Sequence, residues 1–157
     1  MKMGPASKTI GGAFAGILSG SFITFGAQAL THKMYPPPDA LKLLEGESYD
    51  EHMARIAPLL ADHIGDLPIG AFVAILVAYF LGAIGGGSVA GKIAGGNQQA
   101  VIVTCGLLLM AGIMNLLNIP HPMWFNISVP VVYILGTVVA IRLSSVSAPQ
   151  NTQSPKK

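Results

Sequence analysis

From Gly86 to Ile93 the chain reads G-G-S-V-A-G-K-I, a match to all but the last position of the phosphate-binding loop G-x-x-x-x-G-K-[ST]. That loop works because a buried strand feeds a glycine-rich turn whose N–H groups face the phosphates. Its lysine reaches the outer phosphates, and its Ser or Thr hydroxyl holds magnesium. Here Ile93 stands where the hydroxyl belongs. The preceding run, IGAFVAILVAYFLGAI, is apolar and long enough for a membrane helix rather than a strand. No nucleotide partner follows from this stretch, and its glycines need another explanation.

Other residue types that do chemistry are few and badly spaced for it. His32, His52, His63 and His121, with Met34, Met53, Met110, Met114 and Met123, are ligands that suit copper(I). No two histidines stand at a chelating i,i+4 spacing, and His52 and His63 would lie about 16 Å apart along one helix. Cys105 sits in an apolar run without a charged neighbour, as a packing residue rather than a thiolate. No nucleophile has an adjacent base, and the carboxylates all lie on one loop. The expectation is a non-enzymatic protein with no cofactor and no metal.

Polar side chains gather at one level only. Gln28, Asn115, Asn118, Asn126 and Ser128 fall in the outer third of their apolar segments, with Pro120-His121-Pro122 just above. They read either as the lining of a vestibule for a polar solute or ion, or as amides and hydroxyls that satisfy helix ends and neighbouring helices. Deeper, Tyr79 and Tyr133 each bring a hydroxyl that needs a partner, in each other or in a carbonyl freed by Pro130.

The elements that position these residues are set by hydropathy. Of 157 residues 52% are hydrophobic and only 10% charged, where a soluble domain carries about a quarter. Mean hydropathy is +0.59. A helix needs about 20 apolar residues to cross a bilayer. Four stretches qualify, at about 10–30, 69–94, 100–117 and 124–141, within a single integral membrane domain covering 1–157. The fold class expected is an all-α membrane protein, a four-transmembrane-helix bundle. No carboxylate, lysine, arginine or histidine lies in a span core, which argues against a proton-driven carrier.

Charge sets the expected orientation. All seven acidic residues fall between Asp39 and Asp66, so loop 31–68 carries a formal charge of −4. Lys2, Lys8, Lys92, Arg142, Lys156 and Lys157 mark the N-terminus, the 2–3 turn, the end of span 4 and the polar tail 144–157. Basic ends stay cytoplasmic, so both termini are expected inside and loop 31–68 outside. Residues 1–29 also read as a secretory signal ending in Ala27-Gln28-Ala29. However, their apolar stretch exceeds the usual core of about 7–15 residues, and retention is expected.

Small residues recur at every fourth position: Gly12, Gly16 and Gly20 in span 1, and Gly70, Ala74, Ala78, Gly82, Gly86 and Ala90 in span 2. In lipid, close backbone approach along such seams drives helix association. Spacing leaves open whether the seams meet within one chain or in a homo-oligomer. The run Gly85–Gly87 weakens its helix, so a bend or unwound turn is expected there. In the outer loop, Ser48-Tyr49-Asp50-Glu51 fits a capping box. Met53, Ile56, Leu60 and Ile64 give the following helix an apolar face, for the membrane surface or the bundle mouth, and Pro58 is expected to kink or divide it.

Tyr35-Pro36-Pro37-Pro38 after span 1, Leu67-Pro68, the glycine-rich end of span 2, and Asn118-Ile119-Pro120-His121-Pro122-Met123-Trp124 before span 4 form a combination. It resembles a group of small bacterial four-span membrane proteins of unassigned function, over about residues 10 to 142. The longer acidic loop departs from that pattern. The resemblance implies a four-helix bundle in a bacterial inner membrane and brings no functional residues with it. The function expected is a structural or accessory subunit, with the lipid bilayer and a homo-oligomer or another membrane protein as partners and no nucleic acid. The alternative is a small channel or carrier using the outer polar cluster.

Overall fold

A computed structural model describes residues 4–145. The tail beyond Ser145, Lys2, Lys156 and Lys157 lie outside the described residues. Five helices follow one another: α1 (Pro5–Met34), α2 (Tyr49–Asp66), α3 (Ile69–Ile93), α4 (Gln98–Asn118) and α5 (Met123–Ser145). No strand occurs among the described residues. All but α2 are long and apolar enough to cross a membrane. The protein is an all-α, multi-pass membrane protein built as a four-helix bundle, with α2 in the loop between the first two spans.

Each helix start and stop has a local cause. Pro5 occupies the first turn of α1, where a missing N–H is harmless. The Ser48 hydroxyl accepts the Glu51 N–H while the Glu51 carboxylate accepts the Ser48 N–H, completing the capping box of α2. Helix α3 ends where Gly95 and Gly96 take φ of +70° and +87°, which only glycine adopts without strain. Their N–H groups return to the carbonyls of Lys92 and Gly91, the Schellman closure. Asn97 then caps α4 by accepting the Gln99 N–H, and its amide donates to the Thr9 hydroxyl at 2.9 Å, tying this turn to α1.

Two of the expected forms of helix break, an unwound turn in α3 and a division of α2, do not occur. Helix α3 is continuous through Gly85–Gly87, without an unwound turn, and Pro58 does not divide α2. The glycines stay helical because packing against α1, α4 and α5 outweighs their weak propensity. A Cβ on Gly86 would meet α1, and one on Gly87 would meet Ala140, Cys105 and Val101.

Helix α3 is the centre of the bundle, packed against α1, α4 and α5. The two small-residue rows meet each other inside the chain, antiparallel. A Cβ on Gly12 would lie 2.6 Å from the Ala90 carbonyl oxygen, one on Gly16 2.6 Å from that of Gly86, and one on Gly20 2.9 Å from that of Gly82. The row is shorter than its spacing implies. Gly70 is exposed and faces the Tyr35 hydroxyl, and Ala74 is half-buried, whereas Ala78 is fully buried. A second seam lies about 100° further round α3, one residue on in the sequence: Ala83, Gly87 and Gly91 against Gly136, Ala140 and Ser144 of α5. The other side of α1 turns Ile10, Phe14, Leu18 and Phe22 outward, a surface only lipid tolerates. Lys8, Lys92 and Arg142 share one end of the bundle, and the acidic loop caps the other.

Candidate functional site

The helices close tightly where glycines meet and part where they stop. Beyond Gly20 and Gly82, α1 carries Thr24, Gln28 and Thr31, and α3 carries Tyr79, Ile75 and Phe72. Two cavities, of about 220 and 230 Å³, lie among these larger side chains. The upper cavity is roofed by Leu60, His63, Ile64 and Leu67 and walled by Gln28, Thr31, His32, Tyr35, Phe72, Tyr79, Asn115 and His121. The lower lies among Ser21, Thr24, Phe25, Gln28, Tyr79, Leu108, Ala111, Gly112, Asn115 and Tyr133. Gln28, Tyr79 and Asn115 line both, and so form the neck between them.

That neck is a hydrogen-bonded group. The Asn115 amide donates to the Tyr79 hydroxyl at 3.3 Å, and Gln28 lines both cavities beside them from α1. Tyr79 stacks on Tyr133 with ring centroids 5.5 Å apart and planes at 29°, so the two tyrosines meet through their faces rather than their hydroxyls. Among the described residues, no Asp, Glu, Lys or Arg lines either cavity. The arrangement can hold an uncharged group through amide and phenol hydrogen bonds against apolar walls.

His121 forms part of the rim. Its ring stacks on Phe125 at 4.9 Å and meets Phe72 edge-on. Nδ1 donates to the Ile119 carbonyl at 2.7 Å, which leaves Nε2 as an acceptor. Burial pushes this imidazole below the usual histidine value of 6.5, so it is neutral at pH 7. His32 and His63 line the same cavity, yet no three His, Cys, Asp or Glu side chains converge closely enough to share an ion among the described residues.

The roof is held from outside. Arg55 of α2 donates through Nε and Nη2 to the Glu47 carboxylate at 2.7 and 3.0 Å, and through Nη2 to the Lys42 carbonyl at 2.8 Å. Glu47 also accepts the Leu44 N–H at 3.0 Å and faces His52 Nδ1 at 3.1 Å. Hydrogen bonding from Arg55, then from the Leu44 N–H, holds the Glu47 carboxyl at about 2. The backbone of α2 has the turn at 39–41 as its neighbour rather than a spanning helix. It reaches the bundle through side chains: Ile64 is buried, and Leu60 and Leu67 pack on the core. The apolar face of α2 therefore covers the bundle mouth.

Of the six polar residues expected at an outer site, the structure brings Gln28, Asn115 and His121 together. Asn118 and Ser128 point elsewhere and bond back to the Met114 and Trp124 carbonyls one turn earlier. Asn126 lines neither cavity, and its Oδ1 is buried without a hydrogen bond among the described residues. His63, Tyr35 and Arg55 were not expected at this site. His63 and Gln28 belong to different helices, so no spacing rule links them. Arg55 carried one readable signal, as the only cation on α2 beside an acidic stretch.

No family model matches this chain, and no characterised protein or solved structure does either.

Proposed function

We propose that the protein is a non-enzymatic membrane protein that binds a small uncharged ligand in the vestibule roofed by α2. It sits in a bacterial inner membrane with both termini cytoplasmic and the vestibule on the outer side. The reading rests on one observation: two cavities share a polar neck of Gln28, Tyr79 and Asn115 and, among the described residues, are lined by no Asp, Glu, Lys or Arg. The absence of charge around them favours a neutral solute over an ion. Lys8, Lys92 and Arg142 at the opposite end support the orientation by the retention of basic residues inside.

An accessory subunit is the second reading, favoured by the outer loop. Leu43, Leu44 and Tyr49 are exposed there, each by more than half. The glycine seams lend it no support, because they are consumed within the chain. Native mass spectrometry after gentle extraction separates the two. A retained small molecule that is lost in Asn115→Leu supports the vestibule. A stable complex with a second protein and no retained molecule supports the accessory reading and refutes the first.

A further inference from the structure

The lower cavity specifies more than an uncharged ligand. On the α3–α5 side it is lined by the phenol rings of Tyr79 and Tyr133, stacked on each other, whose remaining surface gives a planar ring aromatic contact. The polar atoms sit at its upper end, where Gln28 and Asn115 each offer a donor and an acceptor beside the Tyr79 hydroxyl. The Tyr133 hydroxyl makes no hydrogen bond among the described residues and lines the same cavity. The rim on the α1–α4 side is Phe25 and Ala111, both on the exposed surface of their helices, where the lipid lies. A molecule entering there comes from the bilayer, not from water.

We infer that this cavity binds a quinone-type lipid. The ring would lie against Tyr79 and Tyr133, its carbonyl oxygens would be bonded by the Gln28 and Asn115 amides, and its apolar tail would leave between Phe25 and Ala111. The amides accept as well as donate, so the hydroxylated, reduced form of the same lipid fits the same atoms. An acidic amphiphile fits poorly, because no cation lines the cavity to offset the desolvation of its charge. The assignment rests on the vestibule reading above and adds to it the ligand class and the route of approach.

Trp124, the only tryptophan, packs edge-on against Phe72 at 5.7 Å, and Phe72 lines the upper cavity. Quinones quench tryptophan emission, so Trp124 reports on binding. The full chain in lipid nanodiscs is titrated with decyl-ubiquinone, and separately with the isoprenoid alcohol farnesol and with oleate. Quenching by the quinone is expected to saturate at one equivalent and to be competed by neither other lipid at equal concentration. Ala111→Phe fills the lipid-side rim from an exposed position without touching the core, and is expected to weaken saturable quenching at least tenfold at unchanged thermal stability. Asn115→Leu should do the same by removing the polar partner.

Linear, non-saturating quenching that is identical in the variants reports only partitioning into lipid and overturns the proposal. Binding of farnesol or of another retained neutral molecule, with no competition from the quinone, overturns the ligand class while the vestibule reading stands. Absence of any ligand, in nanodiscs and on native extraction, overturns both.

Discussion

Adding a single methyl group at Gly16 tests whether the α1–α3 seam holds the bundle together. An alanine Cβ there would lie 2.6 Å from the Gly86 carbonyl oxygen, 2.7 Å from the Ala90 Cβ and 2.9 Å from the Thr104 Cγ2. None of these is the far end of a flexible side chain, so the clash is relieved by moving the helix. Restoring an ordinary contact of 3.4 Å takes α1 about 0.8 Å away from α3, and a gap of that size forfeits roughly a quarter to a half of each dispersion contact. Because α1 is one rigid helix, the loss spreads to Gly12 and Gly20. Overpacking of this kind costs about 1–3 kcal/mol, where about 1.4 kcal/mol is tenfold in the folding equilibrium. Gly11→Ala is the matched control, since a Cβ at Gly11 meets nothing within 4 Å. It gains helix propensity, about 0.5–1 kcal/mol in the favourable direction. Reversible unfolding in mixed detergent and sodium dodecyl sulfate micelles, followed by far-ultraviolet circular dichroism, measures both. The expected result is opposite signs at two positions five residues apart on the same helix. Equal stability of Gly16→Ala and the unmutated protein would refute the seam as the source of association.

Three further outcomes follow from the second seam, the roof and the rim. Gly91→Leu, whose Cβ would collide with Ser144, should detach α5 from α3 and lower the unfolding midpoint, whereas Gly106→Leu, in open space, should leave it nearly unchanged. Glu47 has a folded value of about 2 against 4.5 for an ordinary glutamate. Its contribution to the loop is therefore complete above about pH 4.5 and is lost as pH falls through about 2. Amide exchange in α2 should quicken progressively as pH falls from about 4.5 to about 2, and Glu47→Gln should remove that dependence. Nitrogen-15 spectra of His121 should titrate below 6.5, with Nδ1 protonated in the neutral form. A midpoint above 6.5 would show that the ring is solvated rather than packed on Phe125.

Much of the fold was legible because the bilayer imposes a coarse rule. Each span must be a helix of about 20 apolar residues, and four such runs stand between polar breaks. The helices overrun those runs by a few residues, as α1 does from Pro5 to Met34, because capping and turn chemistry rather than hydropathy ends them. The capping box at Ser48 and Glu51 was readable for the same reason: it is local. The vestibule was legible only in part. Gln28 and Asn115 could be placed at one depth by counting residues along their spans, but Asn118 and Ser128 share nearly that depth and face away. Depth along a helix does not give its rotation.

By itself the sequence determined the number of spans, the separation of charge to opposite ends and the glycine rows capable of close contact, since each depends on residues near one another in the chain. Only the tertiary structure decided which row meets which, that α3 packs against α1, α4 and α5 and stays helical through Gly85–Gly87, and that Ala83, Gly87 and Gly91 form a second seam with α5. It alone decided that α1 and α3 touch at Gly16 and Gly86 and that cavities lie beyond them at Tyr79. The reason is geometric. Where two rigid helices approach and diverge depends on the side chains of both together, and that pairing is written in neither helix alone.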